Sequence, residues 1–462
     1  MPARRDMHTG RMGFLHRSWG PLEPFDDSFP AMLGRHGVYS HLITDHMHYF
    51  RDGGATYHTQ YTTFDFVRGQ SGDNWQATVN PDWQNLAQKY HPCQFSTSRD
   101  DEHAQHILNR EAYRTEGDYP MVKCVDAGLV FLEGNNAADD WFLQIETFDP
   151  HEPFCAPQRF REGIETGYNG PVLDWPPYRR NEFNPTESAE LRANYDAKLA
   201  FCDEQLGRIL DTFDRLRLWD DTMLVVSTDH GYLLGEHDWW AKNRMPCYEE
   251  IAHIPLFLHH PQYANMAGSR CDALTQTMDL APTFLDAHGT ERGPDMIGRN
   301  LFDVLNHGSG HEAALFGLYG GAVNVTDGRY IYHLYPSDMD VGALNQYTLM
   351  PMTLGGLFSP EELADAEMAK PFRFTKGARI MRIPVKETSP FLYNQGPKVM
   401  QDTGTTLYDL ANDPQQLRPF RDEEVEARLV ESLKRIMRSL DSPPEIYARL
   451  GLRTPRARVS SP

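Results

Sequence analysis

Ser227-Thr228-Asp229-His230-Gly231-Tyr232-Leu233-Leu234-Gly235-Glu236-His237-Asp238-Trp239-Trp240-Ala241-Lys242-Asn243 follows the apolar stretch Met223 to Val226. A short β-branched run that ends in ionisable residues reads as a buried strand delivering side chains to the carboxyl edge of a sheet, where α/β folds place their chemistry. Asp229 and His230 stand at that edge. A hard carboxylate oxygen beside an imidazole nitrogen suits a divalent cation, and Gly231 lets the backbone turn away. Lys242 returns from the next loop, where its charge can meet an anion held by the cation. Together these residues suggest hydrolysis of an anionic ester. The plainer reading of an isolated Asp-His-Gly is a turn in which Asp caps a helix, so the weight falls on what surrounds it.

A second apolar run, Trp141 to Thr147, reads as a central strand and opens into Phe148-Asp149-Pro150-His151-Glu152-Pro153-Phe154. A histidine held between prolines has little freedom, and an imidazole can protonate a departing alkoxide near neutral pH. Between the two strands, Leu199, Cys202, Leu206, Ile209, Leu210 and Phe213 recur with the spacing of an amphipathic helix, so this helix's residues are assigned to packing. The order strand, helix, strand predicts a right-handed parallel unit. Upstream, 26–35 reads as a short helix and Val38 to Thr44 as a strand. The latter is followed by Asp45-His46-Met47-His48. Residues 51–135 have weak periodicity and are expected to form loops and short helices over the site.

These blocks closely resemble sulfatases and their relatives in the alkaline phosphatase superfamily. The resemblance rests on Asp-His-Gly, Leu-Gly-Glu-His, Lys242-Asn243 and Tyr248-Glu249-Glu250 before the strand Ile254 to Leu258, on Asp-Pro-His-Glu-Pro, and on Leu407-Tyr408-Asp409-Leu410 to Pro414. At the start of the chain, Pro2-Ala3-Arg4 and Thr9-Gly10-Arg11 are similar to the family's Cys/Ser-x-Pro-x-Arg and Thr-Gly-Arg. In that register Met1 fills the variable position and the nucleophile falls one residue before it. The formylglycine nucleophile is therefore not present in this chain, nor is the family's N-terminal strand with its paired Asp. The expectation is a start at an internal codon and little turnover by the 462-residue polypeptide itself; a solvated basic tail over residues 2–11 is the alternative.

The resemblance implies an α/β fold: an alkaline-phosphatase-like, mostly parallel sheet flanked by helices, with a smaller C-terminal antiparallel sheet plus helix. A catalytic domain over 1–310, a subdomain over 311–452 and a disordered tail over 453–462 are expected. Within the subdomain, 322–334 reads as a hairpin and 423–440 as a helix. Residue by residue, the resemblance makes Asp229 and His230 ligands of one divalent ion (Ca, Mg or Mn), Lys242 the bridge between sulfate and nucleophile, His151 the leaving-group residue and Arg4 the residue that orients the nucleophile's loop. Arg11, His46, His48 and His237 are supporting candidates around the substrate. Two departures stand out. Thr44-Asp45 replaces the family's Gly-Lys, and Asp-His replaces Asp-Asn, which leaves room for a phosphonate monoester or phosphodiester hydrolase. A non-catalytic fragment of the same fold is a third reading.

Composition sets limits. A net charge of −21 argues against nucleic acid or an anionic membrane as the main partner, since such surfaces need clustered cations. No run approaches the ~20 apolar residues of a membrane span. The six cysteines, Cys93, Cys124, Cys155, Cys202, Cys247 and Cys271, lack paired spacing, which fits free thiols in a reducing, cytoplasmic setting. The expected partner is a small anionic ester, and a homo-oligomer is compatible with the sequence.

Overall fold

The computed structural model describes residues 1–337, 339–340, 342–394, 396–400 and 404–453. The chain opens on helix α1 (Pro2–Thr9), with proline in its first turn and Gly10 as its left-handed C-cap at φ 59°. This segment is no solvated tail. Arg4, Arg5 and Arg11 are all buried, because each guanidinium meets a carboxylate: Glu146 at 2.5 Å for Arg4, and Asp26 at 2.8 and 3.5 Å for Arg5 and Arg11. Helix α2 (Phe29–Arg35) then leads into strand β1 (Tyr39–Thr44).

β1 lies between β2 (Thr63–Phe66) and, beyond helix α3 (Pro120–Asn135), β3 (Trp141–Glu146), and both pairings are parallel. The register sets Thr44 opposite Glu146, so β1 and β3 release their following loops at one edge. Gly128 lets α3 lie on β3, since a Cβ there would stand 2.3 Å from Ile145 Cδ1. The sequence reading missed both β2 and α3. β2 is a short, largely exposed strand, and α3 is apolar around most of its circumference.

After the two-residue strand β4 (Arg179–Arg180), Asn184 and Glu187 form a capping box that starts α4 (Pro185–Leu216), which runs for 32 residues. Its inward face departs from the apolar spacing. Leu199 is 47% exposed, whereas Phe201 and Lys198 are buried. The reason for Lys198 is an ion pair with Asp149. β5 (Leu224–Ser227) follows, then the small strands β6 (Leu233–Leu234) and β7 (Trp239–Ala241), which form a sheet with β4. β8 (Leu256–His259) pairs antiparallel with β5. The expected parallel unit is therefore modified: Leu224 of β5 and Trp141 and Leu143 of β3 pack against one shared cluster of Leu132, Phe213 and Leu218, while among the described residues the ladder of β5 goes to β8.

Helix α5 (Leu280–Ala287) leads to an antiparallel sheet of β9 (Ala314–Gly317), β10 (Val323–Thr326), β11 (Tyr330–Leu334) and β12 (Thr406–Asp409), including the expected hairpin. Helix α6 (Glu423–Ser439) covers it. Asp422 caps α6, and Leu429, Leu433 and Met437 are fully buried. Met12, Phe14 and Leu15 belong to the same core, so the two halves of the chain share apolar packing. The tail, after residue 453, lies outside the described residues. No described helix is long and apolar enough to cross a membrane, and all six cysteines are free.

Two stability outcomes follow from this packing. Leu433→Ala lowers the unfolding free energy in urea by about 2–5 kcal/mol, and Leu199→Ala by about 0.5 kcal/mol or less. Burial pushes His8, His16, His106 and His333 down to about 3. The unfolded chain therefore takes up protons that the native one refuses, and stability falls as pH drops below about 6.5, by up to about 1.4 kcal/mol per pH unit for each histidine. Asp6, raised by burial to about 7, acts in the opposite sense. Calorimetry at pH 7 and pH 5 should show a lower Tm at pH 5.

Candidate functional site

The carboxyl ends of β1, β3 and β5 and the exit of β7 converge. Glu146, the last residue of β3, accepts hydrogen bonds from Arg4 Nε at 2.7 Å and Nη2 at 2.5 Å, and from Tyr49 OH at 2.7 Å. Arg4 Nη1 in turn lies 3.8 Å from Asp229 Oδ2, just beyond β5. Asp229 Oδ1 is 3.7 Å from His230 Nε2. Burial works to raise the Asp229 carboxyl, but His230, Arg4 and Lys242 hold it well below the usual carboxylate range. His230 Nδ1 lies 2.9 Å from its neighbour Gly231's carbonyl, a contact that selects the Nδ1–H tautomer and leaves Nε2 with a lone pair. Gly231 is required by close approach: a Cβ there would lie 1.8 Å from the Glu250 carbonyl oxygen.

His151 lies on the loop after β3, and both Xaa–Pro bonds around it, Asp149–Pro150 and Glu152–Pro153, are cis. Its Nδ1 donates to the Glu152 carbonyl at 2.6 Å, so its Nε2 faces Lys242 Nζ in direct contact. Burial pushes His151 down to about 3, against the pull of Glu152. Its imidazole is therefore neutral at pH 7 and accepts from Lys242. The ring centroids of His151 and His230 are 6.4 Å apart. Lys242 also pairs with Glu152 Oε1 at 3.1 Å, and Tyr178 OH donates to the same oxygen. Burial opposes ionisation of Glu152, yet His151 and Lys242 bring it down to about 2.

His46 and His48 sit at the exit of β1, with ring centroids 4.6 Å apart, and His46 packs on Phe148 at 4.9 Å. Burial, with Arg4 beside His46 and Arg51 beside His48, pushes both well down. Phe148 continues to His151 at 4.1 Å, so both histidines border the cluster. Asp45 turns away into the protein: its Oδ1 accepts from the Phe148 amide at 2.7 Å, and burial with Asp149 nearby raises its carboxyl. His237 and Arg11 do not join. His237 stacks on Tyr248 at 3.6 Å, 3.5 Å from Glu250. Arg11 lies over Phe374 at 3.7 Å and pairs with Asp26. Both are held by flat aromatic partners whose contact no local motif announces.

Sequence reasoning missed Glu146, Glu152, Tyr49 and Tyr178. Glu152 was readable as the acid inside Pro-His-Glu-Pro; the other three meet the site only through the fold. The half-buried Arg244, two residues after Lys242, lies near Tyr178.

For a divalent cation, Asp229 and His230 supply two donors of suitable type, each side chain 36% exposed. Among the described residues no group of three or more His, Cys, Asp or Glu is close enough to hold a metal. The pair therefore fits as part of a coordination shell whose other positions accept oxygens from elsewhere. Chemically, the arrangement can bind a tetrahedral anion between Lys242, Arg4 and such an ion, with an imidazole at one side.

The chain spans half or less of the length of curated relatives it matches. It is 27% identical over 274 residues to choline-sulfatase of Rhizobium meliloti, covering 54% of this chain and 48% of that one. It is 39% identical over 114 residues to N-acetylglucosamine-6-O-sulfatase of Bacteroides thetaiotaomicron, covering 25% and 20%. In fold it is similar to a protein solved with its substrate D-glucosamine-2-N,6-O-disulfate (TM-score 0.61, 15% identity, 95% and 88% covered). A second similar fold is the phosphonate monoester hydrolase of Agrobacterium radiobacter (TM-score 0.58, 16% identity, 95% and 85% covered). The Sulfatase family model matches residues 1–290, and the chain belongs to the sulfatase family, with the mixed α/β fold of those solved structures.

Proposed function

We propose that the protein is a metal-dependent hydrolase of sulfate esters and that residues 1–310 carry the reaction, with 311–452 as a supporting subdomain. The observation that supports this most is the convergence of Asp229, His230, Lys242 and His151 from three separate stretches of sequence. Sulfatases use a divalent metal ion. Here Asp229 and His230 would hold it, and when bound it withdraws charge from the ester oxygens. Lys242 binds a non-bridging oxygen of the ester. Arg4, braced by Glu146, keeps the Asp229 side of the site cationic enough to accept the anion. His151 faces the leaving oxygen. Its Nε2 already touches the Lys242 ammonium while Nδ1–H stays on the Glu152 carbonyl, so the proton that Nε2 takes from that ammonium is the one it hands, from the same nitrogen, to the departing alkoxide as Lys242 turns to the ester oxygen. Glu152 and Tyr178 hold Lys242 in line. His46 and His48 border the substrate. The substrate is a small anionic ester.

A second reading, phosphonate monoester or phosphodiester hydrolysis, is favoured by one feature: Asp45 occupies the position of the family's sulfate-contacting lysine and points inward. The full-length protein, assayed on 4-nitrophenyl sulfate and bis(4-nitrophenyl) phosphate with calcium, magnesium or manganese, separates the two. The expected result is faster turnover of the sulfate ester, abolished by EDTA and restored by one of the three ions. Faster cleavage of the phosphodiester selects the second reading, and metal-independent turnover removes the assignment to Asp229 and His230.

His151→Ala is expected to lower kcat about 10²–10⁴-fold on phenyl sulfate. Its effect on 4-nitrophenyl sulfate is smaller, because a good leaving group departs without a proton; comparison of the two rates checks this.

A further inference from the structure

Lys198 lies on α4, and its ammonium is buried behind the loop that carries His151. Nζ is 2.6 Å from Asp149 Oδ1 and donates to the Cys155 carbonyl at 2.9 Å. One ammonium thus grips the chain two residues before His151 and four residues after it. Asp149 Oδ1 also accepts from Gln70 Nε2, and the Asp149 carbonyl accepts from Thr147 Oγ1 at 3.3 Å. One residue earlier, the Phe148 amide is tied to Asp45. Asp45 and Asp149 are both buried and share the neighbourhood of Lys198. Burial and the Asp149 charge push the Asp45 carboxyl up, while Asp149 keeps the contact with the Lys198 ammonium. A flexible, strongly hydrated side chain such as lysine loses much by burial. What it gains here is an arc of loop closed over a single cation, with His151 at the crown facing Lys242.

We propose that Lys198 is a positioning residue for the reaction: through Asp149 and Cys155 it fixes His151 opposite Lys242 and so aims the imidazole at the leaving oxygen. This rests on the reading of His151 as the leaving-group donor. Lys198 itself is held by Asp149 and the Cys155 carbonyl and acts on no reacting atom. Displacement of the loop by about 1 Å is enough to cost on the order of 100-fold in rate.

The test uses the full-length protein and two esters, phenyl sulfate and 4-nitrophenyl sulfate. Lys198→Met removes the cation at similar length; Asp149→Asn/Lys198→Met removes both charges and serves where the single variant does not fold. Each is also made in the His151→Ala background. If Lys198 acts through His151, kcat on phenyl sulfate falls about 100-fold, while kcat on 4-nitrophenyl sulfate falls less than about tenfold and KM stays within about threefold. In the His151→Ala background the same change has almost no further effect, because the residue it aims is gone. Equal losses on both esters, or the same loss with and without His151, overturn the proposal and leave Lys198 a packing residue. Should the unmodified protein cleave neither ester, it is the functional reading that falls. The clamp is then judged by the ¹⁵N resonances of the His151 imidazole: loss of the Nδ1–H tautomer in Lys198→Met supports it, and an unchanged pattern overturns it.

Discussion

The buried contact between Arg4 and Glu146 holds the site together. Glu146 ends the central strand and would stand as an unpaired carboxylate at the sheet edge, while Arg4 would be a buried cation on a short helix. Breaking such a pair by removing one partner costs about 3–5 kcal/mol. Two nitrogens of Arg4 reach one oxygen of Glu146, and Tyr49 reaches the other. The first helix, the turn after β1 and the end of β3 are thereby fixed relative to one another. The remaining nitrogen of Arg4 looks toward Asp229. That is how the carboxyl edge of β5 comes into line with the other two edges although no backbone ladder joins it to β3 among the described residues.

From this bracing the electrostatics of the site follow. Asp229, Glu146 and Glu152 alternate with Arg4 and Lys242, and each carboxylate has a cation or hydrogen-bond donor against it. The imidazoles of His46, His48 and His151 are neutral because burial among cations makes a further positive charge expensive. A site of this kind meets an anion with fixed cations and uncharged rings, so binding requires no carboxylate to move away and no histidine to be charged in advance.

Much of this was legible in the sequence, and what was not has physical reasons. Strand ends followed by ionisable residues announced Asp229, His230 and the loop of His151, since a strand period and its termination are local properties. Lys242 was legible through a short, continuous motif. Glu146 and Tyr49 acquire meaning from Arg4, which lies 142 positions from Glu146, and no local pattern connects them. The α4 spacing pointed to Leu199, which is exposed, and passed over Lys198, because apolar periodicity has no way to register a lysine buried by an aspartate on another element. His237 was assigned to the substrate side by its motif, but a neighbouring tyrosine offers its ring a flat surface and takes it away. The helix α3 escaped notice because it is apolar on too many sides to show a stripe.

β3 has a further consequence. Among the described residues it exchanges ladder bonds with β1 on one flank alone. A strand bonded along one side only yields its amide hydrogens to solvent more readily than one bonded on both. It also presents a template to which any extended peptide of matching length can add. The residue nearest the end of such a seam is Glu146, so an occupant there would be felt at once by Arg4.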